Sequence, residues 1–209
     1  MRAFMNRKLL SSRRSSCGRA AAVCTLLLLG TSWQTSASDA KPSTAILIVA
    51  QAQVTDPNFA DSVVLVMNNL GPAPVGIITN RPTPVPLSRL FPNLKGLAQV
   101  QDKLYFGGPV DFGSVWFLFH ATSRPERAIQ VLDGVYLSAS QALLLQLLSR
   151  NKPTEGLRIF VGHAGWTADQ LKAEIKSGAW MLKRADADAI FKPQPEAPWP
   201  ASQTPGRGI

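Results

Sequence analysis

Thiols are nearly missing from this chain. Its 209 residues hold two cysteines, Cys17 and Cys24, and both fall within the first 38 positions. If that stretch is removed, no disulfide, catalytic thiol or cysteine-based metal site remains. Histidine is as scarce. His120 and His163 are the two imidazoles, and neither has a carboxylate at a ligand-like spacing, so no metal or other cofactor is expected. Beyond residue 38 there is no Gly-x-Ser-x-Gly elbow, no Walker lysine and no Gly-x-Gly-x-x-Gly run, which removes the plainest hydrolase and nucleotide-binding signatures.

Acidic residues are in short supply, but the imbalance is local. The net charge of +9 comes from 22 basic and 13 acidic residues; Arg2, Arg7, Lys8, Arg13, Arg14 and Arg19 precede Ser38, and no acid does. Without them 16 basic residues face 13 acidic ones, an ordinary balance. No basic stripe, helix-turn-helix pattern or zinc finger is left to argue for a nucleic-acid partner.

What the first 38 residues do have is the layout of a secretory signal peptide. A basic segment precedes an apolar stretch from Ala20 to Gly30, and small residues follow at Thr35-Ser36-Ala37-Ser38. The stretch is shorter than the ~20 apolar residues that span a bilayer. The reading is export to the periplasm or beyond, with cleavage after Ala37 or Ser38 and no transmembrane segment afterwards. Ser12-Arg13-Arg14-Ser15 invites a twin-arginine reading, but Ser15-Ser16-Cys17 stands where apolar residues are wanted, so general export is preferred.

The domain is expected over 43–191, with a Pro-rich disordered tail over 192–209. Apolar runs of strand length, Ile46 to Ala50, Ser62 to Met67 and Val75 to Thr79, read as neighbouring strands. Asp56-Pro57 has the form of an N-cap with proline at the first helical position. Val115 to His120 and Arg158 to Gly162 read as further strands, the latter delivering His163 into a glycine-flanked turn. Ser138 with Gln141, and Thr167 with Gln170, have capping-box spacing before helical stripes. Trp180, Met181 and Leu182, and later Ala189-Ile190-Phe191, read as a last extended return to the core.

An ordered set of motifs resembles the YqgE/AlgH family of bacterial proteins: Asp56-Pro57-Asn58-Phe59, Gly76-Ile77-Ile78-Thr79-Asn80-Arg81-Pro82, Gly107-Gly108-Pro109-Val110, and Gly165-Trp166 followed by Gln170-Leu171, Glu174-Ile175 and Trp180. The resemblance implies an α+β fold with a largely antiparallel, bifurcated β-sheet forming a pseudo-barrel flanked by helices. It brings no settled activity. Phe112 to Phe117 and His163 depart from the family's usual residues, and the leader departs from its usual cytoplasmic location.

The candidate ligand-binding residues are Asn80, Arg81, Gly107, Gly108 and His163. Arginine presents planar donors suited to a carboxylate or phosphate, and the amides of Gly107-Gly108 would complete a small anion site if the fold brings them alongside. Two readings of Arg81 stay open: that site, or a clamp on a backbone carbonyl or on an acid such as Asp56. The favoured function is a non-enzymatic binding or accessory module for a small anionic ligand or a protein partner. The alternative is a hydrolase or transferase using His163 with a nearby hydroxyl or carboxylate, Ser138 and Ser140 being the candidate nucleophiles.

Overall fold

The computed structural model describes residues 45–192 and 195–197. The leader expected over 1–38, and the tail apart from 192 and 195–197, lie outside the described residues. Ten strands and four α-helices follow in the order β1 (Ala45–Ala50), β2 (Val63–Met67), β3 (Val75–Ile78), β4 (Pro82–Pro86), α1 (Leu87–Leu90), β5 (Lys103–Phe106), β6 (Val110–His120), β7 (Ile129–Leu132), β8 (Val135–Ser138), α2 (Gln141–Leu148), β9 (Leu157–Gly165), α3 (Ala168–Lys176), β10 (Trp180–Arg184) and α4 (Ala187–Phe191). The sheet order is β10-β1-β2-β3-β9-β6-β8-β7, with β4 and β5 on a side branch. Every pairing is antiparallel except β5 with β9. The expected α+β pseudo-barrel with a bifurcated sheet is the fold observed.

The fork lies in β9. Its first half pairs with β5 through Phe160 and Val161, and its last residues, Ala164 and Gly165, pair with β3. The change of partner falls at Gly162, whose φ of 69° is left-handed and open to glycine at little cost. Gly107 and Gly108 sit in the crotch. A Cβ on Gly107 would overlap the Gly162 carbonyl oxygen, and one on Gly108 would overlap the His163 backbone. The sequence reading left positive φ and close approach open for this pair; close approach governs both, and Gly108 also has a φ of 149°.

Both faces of the central strands are covered, which is why they read as unbroken apolar runs. Along β1 and β2, Leu47 and Leu65 pack with Phe160 and Ile190 on one side. Ile48, Val64 and Val66 pack on the other with Phe106, Trp166, Leu171 and Trp180. A third cluster, with Phe117, Phe119, Leu144, Leu148 and Ile159, seats α1 and α2. The strand β4 carries three prolines and pairs with β5 alone, as a chain short of N–H donors must.

Several local expectations shift. The α2 N-cap is Ser140, whose side chain accepts from the Leu143 amide, while Ser138 Oγ donates to the Arg127 carbonyl. β6 starts at Val110, five residues before the expected start, because a wide bulge between Val110 and Val115 hides the alternation. Ala189 to Phe191 is helical, since Asp186 caps α4 by accepting from the Ala189 amide at 2.7 Å. Within the expected disordered tail, Pro195 to Ala197 is placed against the domain, with Ala197 buried.

Candidate functional site

Arg81 is fully buried. Its Nη1 donates to the carbonyls of Pro57 (3.2 Å) and Asn58, and its Nη2 to that of Ala60 at 2.7 Å. The guanidinium therefore closes the turn that Asp56 opens, where Asp56 Oδ1 accepts from the Asn58 amide at 2.8 Å. Burial pushes the Arg81 pKa down, opposed by the fields of Asp61 and Asp56. Of the two readings the sequence left open, the structure shows the carbonyl clamp.

Asn80 is bonded through both polar side-chain atoms. Its Oδ1 accepts from the Val63 amide (2.9 Å), and its Nδ2 donates to the carbonyls of Asp61 and Pro195, both at 3.0 Å. Its own carbonyl accepts from the Ala197 amide at 2.8 Å. Gly107 does lie beside Arg81, as the expected anion site requires: the Phe106 amide donates to the Arg81 carbonyl at 2.8 Å. But the Gly107 amide donates to Val161, and its carbonyl accepts from Ile78. The expected juxtaposition is present, with the Gly107 amide spent on the fork between β3, β5 and β9 and Arg81 Nε buried without a hydrogen-bond partner.

His163 lies within β9, opposite Val110, and not in a turn. Its ring centroid is 5.9 Å from that of Trp116, and His163 Nδ1 and Trp116 Nε1 are both buried without a hydrogen-bond partner. No serine, threonine or carboxylate among the described residues bonds to it. Ser138 pairs with Phe117, and Phe119 with Leu157, near the far end of the β6–β9 ladder. Ser138 is therefore level with Ile159, four residues along β9 from His163, or about 13 Å, and two strands away. His120, just beyond, packs on Phe191 with ring centroids 4.8 Å apart, so the two imidazoles do not meet.

A cavity of about 310 Å³ opens on the other side of Asn80, where β5, β9 and the returning tail converge. Tyr105, Arg158, Asp102 and Glu196 are its charged and phenolic lining, with Thr79 and Thr154 beside them. Arg158 is the basic residue set into the apolar run of β9. It donates to the carbonyls of Thr79 (2.9 Å), Phe191 (3.3 Å) and Lys192 (3.0 Å), and its guanidinium carbon stands 4.9 Å from the Tyr105 ring centroid. Thr154 Oγ1 donates to Asp102 Oδ2 at 2.9 Å. Burial lowers the Arg158 pKa, against the fields of Tyr105 and Asp102. Burial also raises the Tyr105 pKa; Arg158 pulls it down, while Glu196 and Asp102 push it further up. The phenol is thus a protonated donor at neutral pH.

Tyr105 and Arg158 appear in the sequence only inside strands. The legible signal was a lone cation in Leu157-Arg158-Ile159-Phe160-Val161, a position that half-buries a charge and so demands partners. Glu196 could not be read from its neighbours, because its place depends on Asn80, more than a hundred residues earlier.

Comparison with known proteins places these observations. A family model described as AlgH-like matches residues 47–204. A UPF0301 protein of Myxococcus xanthus is 33% identical over 177 residues, covering 78% of this chain and 96% of the relative. One from Pseudomonas fluorescens is 34% identical over 151 residues, covering 69% and 78%. The solution structure of the AlgH protein from Pseudomonas aeruginosa superposes with a TM-score of 0.59 at 26% identity, over 73% of this chain and 82% of that one.

Proposed function

The chain belongs to the AlgH-like family, and on that premise we propose that it is an exported, non-enzymatic binding module whose ligand site is the Arg158–Tyr105 cavity. The observation that carries this reading is the state of Arg158. It is a half-buried cation sharing a cavity with Asp102 and Glu196, yet the ion pairs among the described residues are Lys152–Glu155 and Lys192–Asp188 alone. A half-buried guanidinium with no carboxylate on it, beside two solvent-exposed carboxylates, leaves hydrogen-bonding capacity for an incoming group. Export rests on the leader pattern of residues 1–38.

A hydrolase or transferase built on His163 requires a hydroxyl or carboxylate within hydrogen-bond reach of the imidazole. Among the described residues none bonds to it, so the catalytic alternative has no specific support.

The test is a thermal-shift comparison of the purified protein with its Asp102→Asn variant, against a small-molecule extract of its host's periplasm. The binding reading expects an extract-dependent rise in Tm that the variant lacks. An identical response, or none from either protein, would overturn it.

A further inference from the structure

Resting on that binding reading, we propose that the Arg158–Tyr105 cavity takes a small zwitterion of amino-acid type, its carboxylate meeting Arg158 and the Tyr105 hydroxyl and its ammonium meeting Asp102 and Glu196. The cavity carries both signs of charge, held apart. No Arg158 nitrogen lies within 4.0 Å of an oxygen of Asp102 or Glu196, the range of an ion pair. A free anion would meet two carboxylates, and a free amine would meet the guanidinium. A molecule with one charge of each sign, spaced by a carbon or a few, satisfies both ends.

The hydrogen-bond inventory agrees. A guanidinium has five N–H donors, and Arg158 spends three bonds, on Thr79, Phe191 and Lys192. Nε and Nη1 keep one N–H each, and either can meet a carboxylate oxygen by a single charge-assisted bond. The Tyr105 hydroxyl makes no hydrogen bond among the described residues, and it lies where the fields of Arg158, Glu196 and Asp102 meet. Asp102 has one oxygen on Thr154 and, among the described residues, one spare. Among the described residues none bonds to the Glu196 side chain, and its backbone is fixed from both sides, by Pro195 on Asn80 Nδ2 and by Ala197 on the Asn80 carbonyl. A volume of about 310 Å³ lies at the small end of ligand pockets, enough for a free amino acid.

The experiment is isothermal titration of the purified protein with the common amino acids, each beside its decarboxylated amine and its deaminated carboxylate. The expected result is saturable binding of one or more amino acids, with both single-charge analogues at least tenfold weaker. Glu196→Gln and Asp102→Asn should each weaken that amino acid about tenfold while leaving the unliganded Tm unchanged; Arg158 is left intact because it anchors three carbonyls. An analogue that binds as tightly as its amino acid, with the same loss in Glu196→Gln, overturns the zwitterion and keeps the binding site. Amino-acid binding indifferent to both variants overturns the cavity as its location. Failure of the whole panel overturns the zwitterion as well. The binding reading then stands if native mass spectrometry of the protein from the host's periplasm shows an adduct that Glu196→Gln loses, and falls if it shows none.

Discussion

Arg158 stacks on Tyr105, its guanidinium carbon 4.9 Å from the ring centroid, and the two residues come from strands that run parallel at the fork of the sheet. The arrangement holds a cation against an aromatic face in a partly desolvated place, where such contacts are strongest.

Burial raises the pKa of the Tyr105 phenol above its ordinary value of 10.0. A folded-state pKa above the unfolded one means that the fold favours the protonated phenol. The contribution to stability is complete below pH ~10 and is lost as pH rises through the folded pKa. The chain has two tyrosines, Tyr105 and Tyr136. Ultraviolet titration of a Tyr136→Phe variant should therefore show a single phenol ionising above the ordinary tyrosine value. A midpoint at or below 10 would contradict the cavity's electrostatics.

Replacing Arg81 should damage folding rather than binding. Arg81→Met leaves the carbonyls of Pro57, Asn58 and Ala60 without their donor, and bonds from a charged donor contribute about 1.5–3 kcal/mol each. Urea denaturation should show a loss of about 3 kcal/mol or more, with ligand affinity of the folded fraction unchanged. A stable variant that has lost binding would return Arg81 to the ligand site.

Glu174 joins two tryptophans. Its Oε2 accepts from Trp166 Nε1 at 2.9 Å and from Trp180 Nε1 at 2.7 Å, while Oε1 accepts from Gln170 Nε2 at 2.8 Å. Glu174→Ala should cost about 2–4 kcal/mol by stranding two buried indole donors, with a red shift in tryptophan fluorescence. The spacing of Gly165-Trp166, Glu174 and Trp180 in the sequence is this network. Gly76 belongs to it too, since a Cβ there would stand 2.7 Å from the Trp166 ring.

Most of the fold was legible because its signals are local or spaced by one element. The apolar runs of β1 to β3 announce strands covered on both faces, and Thr167 caps α3 as the capping-box spacing predicts, accepting from the Gln170 amide at 3.1 Å. The glycines at 107 and 108 announced either a positive φ or a close approach, though not that Gly162 would be the partner. What escaped depends on distant chain. The bulge after Val110 breaks periodicity, α4 is too short to show any, and the tail's docking is decided by Asn80. The site was half legible: Asn80 lines the cavity, but Arg81 faces the opposite way, into the 57–60 turn. A side chain's direction at the end of a strand is set by tertiary packing, which no spacing records.

The tail supplies a further prediction. A chain ending at Ala197 should be more stable than one ending at Gln194 by about 1–3 kcal/mol, the worth of two hydrogen bonds and one buried methyl. The longer chain should retain ligand and the shorter one lose it, since Glu196 goes with the bonds to Asn80. Chemical denaturation and titration of the pair check both. Equal stability would remove the tail from the site.

One measurement addresses the whole account: native intact-mass spectrometry of the protein recovered from the periplasmic fraction of its host, beside a double variant Asp102→Asn, Glu196→Gln. The predicted spectrum shows a chain beginning near Ser38 or Asp39 that carries a discrete small-molecule adduct, and the variant shows the same chain without it. A chain retaining its first 38 residues in the cytoplasm, or an adduct-free spectrum for both proteins, would contradict an exported binding module.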